Sequence, residues 1–294
     1  MLVRKDHRHT PQFGAPGAAR RAVHLLTTEN RELTTPGRAA PRLFYGTAWK
    51  EERTQPLVES ALRAGFRGFD TANQRRHYNE PAVGAALRNQ DVFIQTKFTY
   101  VESQDHRLPY DPRADYPTQA GQSFQSSVEH LGHVDSYLLH GPRTRRGLTD
   151  ADKQVWRTME QLPVARIGVS NVTAEQVEAL CNFAGKKPSF VQNRCFAQLG
   201  WDREVRRVCA REGIRYQGFS LLTANVRELS HPRIFQIAAA HNATIPQLVF
   251  AFALAAGMIV LTGTTDEQHM REDLAAAEIV LSEEEIAAIE NIAA

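Results

Sequence analysis

The sequence predicts an α/β protein, a (β/α)8 TIM barrel formed by one domain with a short N-terminal extension. Three observations lead there. From about residue 40 to residue 276, short apolar runs alternate with longer segments of helical period, the pattern of parallel strands joined by crossover helices. The runs number eight, at 43–47, 66–70, 92–97, 136–140, 165–169, 190–193, 215–220 and 258–261, whereas an open doubly wound sheet normally uses fewer. Their span approaches the roughly 250 residues of a barrel. The 294 residues therefore divide into an extension over 1–29 and a barrel over 30–294, not into two domains of about 150.

Helical segments fall between the strands near 54–64, 80–87, 119–131, 151–162, 173–183, 203–212 and 232–240, and 245–256 precedes the last strand. Thr173 stands three residues before Gln176, the spacing of a capping box, and Thr244 precedes Ile245-Pro246, which puts proline in a first turn. Gly65, Gly213 and Gly257 each follow a helical run and precede a strand, where a left-handed residue is wanted. A last capped helix begins near Ser282.

Hydrophobic residues are 42% and charged residues 23%, which excludes a disordered or collagen-like chain. Lys and Arg number 35 against 33 Asp and Glu, so the net charge is +2 and nothing in it calls for nucleic acid or an anionic membrane surface. The expected partner is a small molecule, acting on a monomer or weak homo-oligomer. Cys181, Cys195 and Cys209 are widely spaced and free of any CxxC pattern, which disfavours both a disulfide framework and a metal site. A reducing, cytoplasmic location follows. The apolar run 248–261 is short of the roughly 20 residues of a bilayer span, and residues 1–25 are too poor in apolar residues for a signal segment.

In a barrel of this kind chemistry sits at the C-terminal ends of the strands. Those ends are polar here: Asp70, Lys97, His140, Ser170-Asn171, Gln192-Asn193 and Ser220. Taken singly, Asp70 reads as a turn cap, Lys97 as a strand-end side chain reaching solvent, and His140 as a hydrogen-bonded core histidine. Together they read as one site, because a Lys and an Asp on adjacent strand ends pair, and a buried ammonium needs a partner. The loop after Asp70 offers Tyr78 as a proton donor, with His77 and His140 as competing donors; a lysine beside a phenol is expected to lower its pKa.

These residues, in this order, resemble the aldo-keto reductase superfamily over about residues 30–292. The markers are Gly46-Thr47-Ala48-Trp49, Asp70-Thr71-Ala72, Lys97, Leu138-Leu139-His140-Gly141-Pro142, Ile167-Gly168-Val169-Ser170-Asn171 and Val191-Gln192-Asn193. The resemblance implies an NADP-dependent oxidoreductase acting on CH–OH and C=O groups, with NAD possible and no metal. It implies a catalytic tetrad of Asp70, Tyr78, Lys97 and His140, with Tyr78 as general acid in the reduction of an aldehyde or ketone. Ser170, Asn171 and Gln192 would hold the nicotinamide carboxamide and Phe219 would stack on its ring. Thr47, Ser220, Leu222, Thr262, Thr264, Thr265, His269, Glu272 and Asp273 would complete the cofactor site. Trp49, Phe98 and Tyr100 are expected to wall the substrate pocket.

Four departures from the family pattern bear on function. The tyrosine stands eight residues after Asp70 where five is usual, so the loop carries an insertion. Strand eight ends in Leu261-Thr262-Gly263-Thr264-Thr265 where a Lys-Ser pair is common. The connection from Leu162 to Ile167 is short, on the face away from the chemistry. The chain stops at Ala294 without the loop that many relatives fold over substrate, so a more open pocket is expected, with specificity resting on 98–119 and the loop after His140. Deleting 103–115 is expected to change substrate preference more than cofactor affinity. Two other readings share this fold: an enzyme of specialised metabolism performing a non-redox dehydration or cyclisation, and a nucleotide-sensing regulatory subunit.

Overall fold

The computed structural model of the protein describes residues 38–293; the extension expected over 1–29 lies outside them. Eight parallel strands close in sequence order into a barrel: β1 (Leu43–Gly46), β2 (Gly68–Asp70), β3 (Phe93–Phe98), β4 (Ser136–Leu139), β5 (Arg166–Ser170), β6 (Phe190–Arg194), β7 (Arg215–Phe219) and β8 (Ile259–Thr262). Around it run the α-helices α1 (Thr54–Ala64), α2 (Glu80–Leu87), α3 (Tyr116–Leu131), α4 (Asp150–Met159), α5 (Ala174–Phe183), α6 (Arg203–Glu212), α7 (Pro232–Ala240), α8 (Ile245–Ala255), α9 (Glu267–Ala275) and α10 (Glu283–Glu290). All eight strands expected from the sequence are present, with ends displaced by one or two residues.

Local chemistry sets the helix boundaries. Thr173, Thr244 and Ser282 each cap a helix, and in each case the Gln or Glu three residues on returns a bond to the capping residue. Gly213 ends α6 at φ 71°, and Gly257 follows α8 at φ 79°, both in the left-handed region that a side chain disfavours. Several segments differ from the sequence reading, among them α4, which ends at Met159 and not 162. α3 begins at Tyr116, not 119, because the Asp115 carboxylate accepts from the Thr118 amide and Pro117 suits a first turn. The stretch before it is not structureless, since Val101–Ser103 forms a 3-10 turn.

Strand alternation sorts the side chains into two populations. Tyr45, Phe69, Ile94, Phe98, Tyr137, Leu139, Ile167, Val169 and Val191 point outward into the main core beneath the helices. Phe44, Phe93, Phe190, Ile259 and Leu261 form a separate apolar cluster inside the barrel. Above it the interior turns polar. Gln95 Nε2 donates to Gln217 Oε1 (2.8 Å) and Asp70 Oδ1 (2.7 Å), and Gln192 Nε2 donates to the same two oxygens at 2.9 Å each. Gln217 Nε2 returns a bond to Gln95 Oε1 at 3.0 Å. A buried network of this kind is tolerable only when its members are paired, and here it clamps Asp70 from two other strands.

Among the described residues no single helix is long and apolar enough to cross a membrane, and α7 with α8 forms only a pair bent by 86°. Most of α8 is buried, as a core helix is.

Candidate active site

The C-terminal ends of β2, β3 and β4 bring Asp70, Lys97 and His140 to one face, and the β2–α2 loop adds Tyr78. Lys97 is fully buried; its Nζ donates to Asp70 Oδ2 and to the Thr71 carbonyl, both at 2.7 Å. The same nitrogen lies 5.4 Å from the centre of the Tyr78 ring, whose centre is 6.0 Å from that of the His140 ring. His140 Nδ1 is hydrogen-bonded to Thr99 Oγ1 at 2.6 Å.

The inserted loop reaches this position because both its neighbours hold it. Tyr78 N and His77 N bond back to the Gln74 carbonyl at 3.0 and 3.1 Å, closing a turn. Trp49 N donates to the His77 carbonyl (2.8 Å), Gln74 Nε2 to the Ser103 carbonyl (2.7 Å), and an Arg107 nitrogen to the Arg75 carbonyl (2.9 Å). Immediately after Tyr78, Asn79 caps α2 and buried Glu80 accepts from Thr96, from Ser127 (3.1 Å) and from the His130 ring (3.2 Å). α2 lies so close to α3 that a β-carbon on Gly84 would sit 1.8 Å from the His130 carbonyl oxygen, so only glycine permits the approach.

Burial dominates the electrostatics. It pushes the Lys97 ammonium pKa down, and the Asp70 carboxylate opposes that shift. The Tyr78 phenol is pushed up, by burial first and then by the Asp70 charge. This corrects the sequence expectation that Lys97 would lower it: desolvation of a phenolate outweighs an ammonium already neutralised by Asp70. The His140 ring is driven down to about 3 by burial, then by the Lys97 and His77 charges, and is neutral at physiological pH.

The sign of the His140 shift gives a measurable consequence. The unfolded ring takes up a proton near pH 6.5, while the native ring refuses it until about pH 3, so acid favours the unfolded chain across that window. The urea midpoint of the wild type should therefore fall more steeply from neutral pH toward pH 4 than that of His140→Asn. Equal slopes would contradict a neutral buried ring.

A cavity of about 490 Å³ opens over these groups, lined among others by Trp49, His77, Tyr78, Tyr100, His140 and Arg143. Trp49 is 67% exposed and packs its ring on His77, centre to centre 3.7 Å. Tyr100 is buried, with its hydroxyl on Asp152 Oδ1 at 2.9 Å. Phe98 does not reach the cavity. Lys97 points toward the axis, so its neighbour must point away, and Phe98 packs on the Tyr100 and Tyr110 rings beneath the helices. Tyr110 also donates to the Thr99 carbonyl (2.7 Å), tying down the long loop.

The residues assigned to a cofactor fall into two groups. Round the barrel mouth, Ser170 Oγ donates to the Gln192 carbonyl (2.7 Å), and Asn171, at φ 57°, donates to the His140 carbonyl (2.8 Å) and to Ser170 Oγ (3.1 Å). The Gln192 amide belongs to the interior network described above. Phe219 lies partly buried at the mouth, with the Arg194 guanidinium 5.7 Å from its ring centre; Ser220 follows at φ 57°, and Leu222 packs on the main core. Thr47 is buried, both its amide and its hydroxyl 3.0 Å from the Asp70 carbonyl.

At the end of β8, Thr262 Oγ1 donates to Asp273 Oδ2 at 2.6 Å, and burial pushes that carboxyl up to about 6. Thr264 Oγ1 accepts from the Asp266 amide (3.2 Å), and Glu272 accepts from Gln268 (2.8 Å); Thr265 and His269 are exposed. Sequence reasoning passed over Lys50. The residue as a whole is 8% exposed, and its Nζ reaches across from the β1 loop to the Gly263 carbonyl. No carboxylate pairs with it among the described residues. The available signal was a lysine directly after the aromatic Trp49, in a loop next to β8 once the barrel closes.

The chain matches the family model described as "Aldo/keto reductase family" over residues 42–294. It is 28% identical over 241 residues to the glyoxal reductase of Bacillus subtilis (strain 168), covering 80% of this chain and 82% of that one. Identity to deoxymugineic acid synthase 1 of Zea mays is 27%, with 88% and 91% covered. Among solved structures, a Gox0644 mutant in complex with NADPH aligns at TM-score 0.72 and 26% identity, over 86% of this chain and 89% of that chain.

Proposed function

The chain belongs to the aldo/keto reductase family, and on that premise we propose that it reduces an aldehyde or ketone to an alcohol with NADPH, accepting NADH less well. The single observation that carries this reading is the placement of the Tyr78 ring within 5.4 Å of Lys97 Nζ and 6.0 Å of the His140 ring, centre to centre, on the floor of a cavity.

The residues present fit an anionic nicotinamide dinucleotide. Lys50 offers a partly buried ammonium whose bonded partner is a carbonyl, an arrangement that gains from a nearby anion. Asn171, Ser170 and the Phe219 ring offer amide, hydroxyl and aromatic surface at the mouth of the barrel. The NADPH complex of the structural neighbour supports the same cofactor. When bound, the reduced nicotinamide supplies a hydride to the carbonyl carbon.

The chain's own groups do the rest. The raised pKa keeps Tyr78 protonated, the form a proton donor requires, and its hydroxyl passes the proton to the substrate oxygen as the C–H bond forms. Lys97, held by Asp70, stabilises the phenolate left behind. The neutral His140 ring is assigned the tautomer with its proton on Nε2, which lets Nδ1 accept from the Thr99 hydroxyl 2.6 Å away and lets Nε2–H meet the substrate oxygen. A cytoplasmic setting for this chemistry suits three buried cysteines that form no disulfide.

Purified protein incubated with NADPH and a panel of aldehydes and ketones should show loss of NADPH absorbance matched by alcohol formation. Cofactor binding without turnover across the panel would instead indicate a sensor. Product formed without NADPH consumption would indicate a non-redox enzyme.

A further inference from the structure

We propose that Arg143 is a receptor for a carboxylate carried by the substrate, so that the preferred substrates are oxo acids; this rests on the reductase reading of the same pocket. Arg143 follows His140 by three residues and lines the cavity that holds Tyr78 and His140. Its guanidinium is fixed on one side by a 2.6 Å bond to the Tyr116 hydroxyl and lies 5.2 and 5.7 Å from the Tyr116 and Tyr100 ring centres. Its backbone amide donates to Asp152 Oδ1 at 3.1 Å. That carboxylate also accepts from Tyr100 and belongs to the capping box of α4. The cation is thus positioned by groups that do not themselves neutralise it.

Its charge partner is of another kind. Glu102, on the 3-10 turn of the long β3–α3 loop, accepts from Arg143 with a side chain that is 50% exposed, against 33% for the arginine. It is the one carboxylate among the described lining residues. A solvent-exposed ion pair contributes little, so an incoming carboxylate can replace Glu102 at small cost. The planar guanidinium fork matches a carboxylate in a way a lysine would not. The loop over 141–149 adds exposed Arg145 and Arg146 and no acidic residue, giving the pocket mouth a field that draws anions.

The test uses matched carbonyl pairs with the full chain and NADPH: 4-oxobutanoate against butanal, and 4-carboxybenzaldehyde against benzaldehyde. The carboxylated member should have the higher kcat/KM by roughly 10- to 100-fold, the range of a charge-assisted hydrogen bond. Arg143→Met should collapse that ratio, with Arg143→Lys recovering part of it, and Glu102→Gln should lower KM for the carboxylated member by removing its competitor. Parity in the wild type, an equal loss on both members in Arg143→Met, or an unchanged KM in Glu102→Gln would overturn the proposal. Absence of turnover on all four probes would be a failure of the reductase reading instead. Calorimetric binding of benzoate then decides the receptor independently: binding lost in Arg143→Met supports it, and no binding to the wild type overturns it.

Discussion

Tyr78→Phe should abolish carbonyl reduction and leave NADPH binding in place. A positioned general acid contributes about 10²- to 10⁴-fold, and the substitution removes the hydroxyl assigned as donor while keeping the ring that packs between Lys97 and His140. The fall should appear in kcat more than in KM, because the interaction lost is made in the transition state. Fluorescence titration with NADPH should be unchanged. Residual activity near the wild-type rate would move the acid to His77 or His140, the other donors on the cavity wall.

Lys97→Met should be as damaging to catalysis and should also cost stability, which Tyr78→Phe should not. The Lys97–Asp70 pair is buried on both sides, with side chains 1% and 5% exposed. Removing one partner strands the other charge, a loss of about 3–5 kcal/mol. For a domain of this size that corresponds to a Tm lower by roughly 10 °C. Adding Asp70→Asn to Lys97→Met removes the stranded carboxylate and should restore part of the Tm while leaving the enzyme inactive. A double variant no more stable than the single one would show that the pair is not the origin of the loss.

How far the sequence revealed this site depends on which physical quantity each feature needed. Strands were legible because fully buried parallel strands read as apolar runs, and their polar terminal residues pointed to Asp70, Lys97 and His140 directly. Caps such as Thr173 and Ser282 were legible because they use short-range spacing. Phe98 was misplaced for want of a phase: once Lys97 is known to face the axis, alternation alone sends its neighbour outward. The Tyr78 pKa needed burial, which no local pattern reports.

Other features needed the fold itself. Lys50 meets Gly263 only because β1 and β8 close the barrel. The Gln95, Gln192 and Gln217 network joins strands far apart in the chain and emerges from barrel closure, not from any motif. The three-residue insertion before Tyr78 left its endpoint open in the sequence; bonds from Trp49, Gln74 and Arg107 decide it.

The most direct test of the account is a crystal structure of the protein with NADP⁺, read at one distance. The Tyr78 hydroxyl should lie within hydrogen-bonding reach of Lys97 Nζ, about 2.6–3.2 Å, with the nicotinamide beside it. A hydroxyl turned to solvent, on the order of 10 Å from that nitrogen while the dinucleotide is bound, lies far beyond that reach and would contradict it.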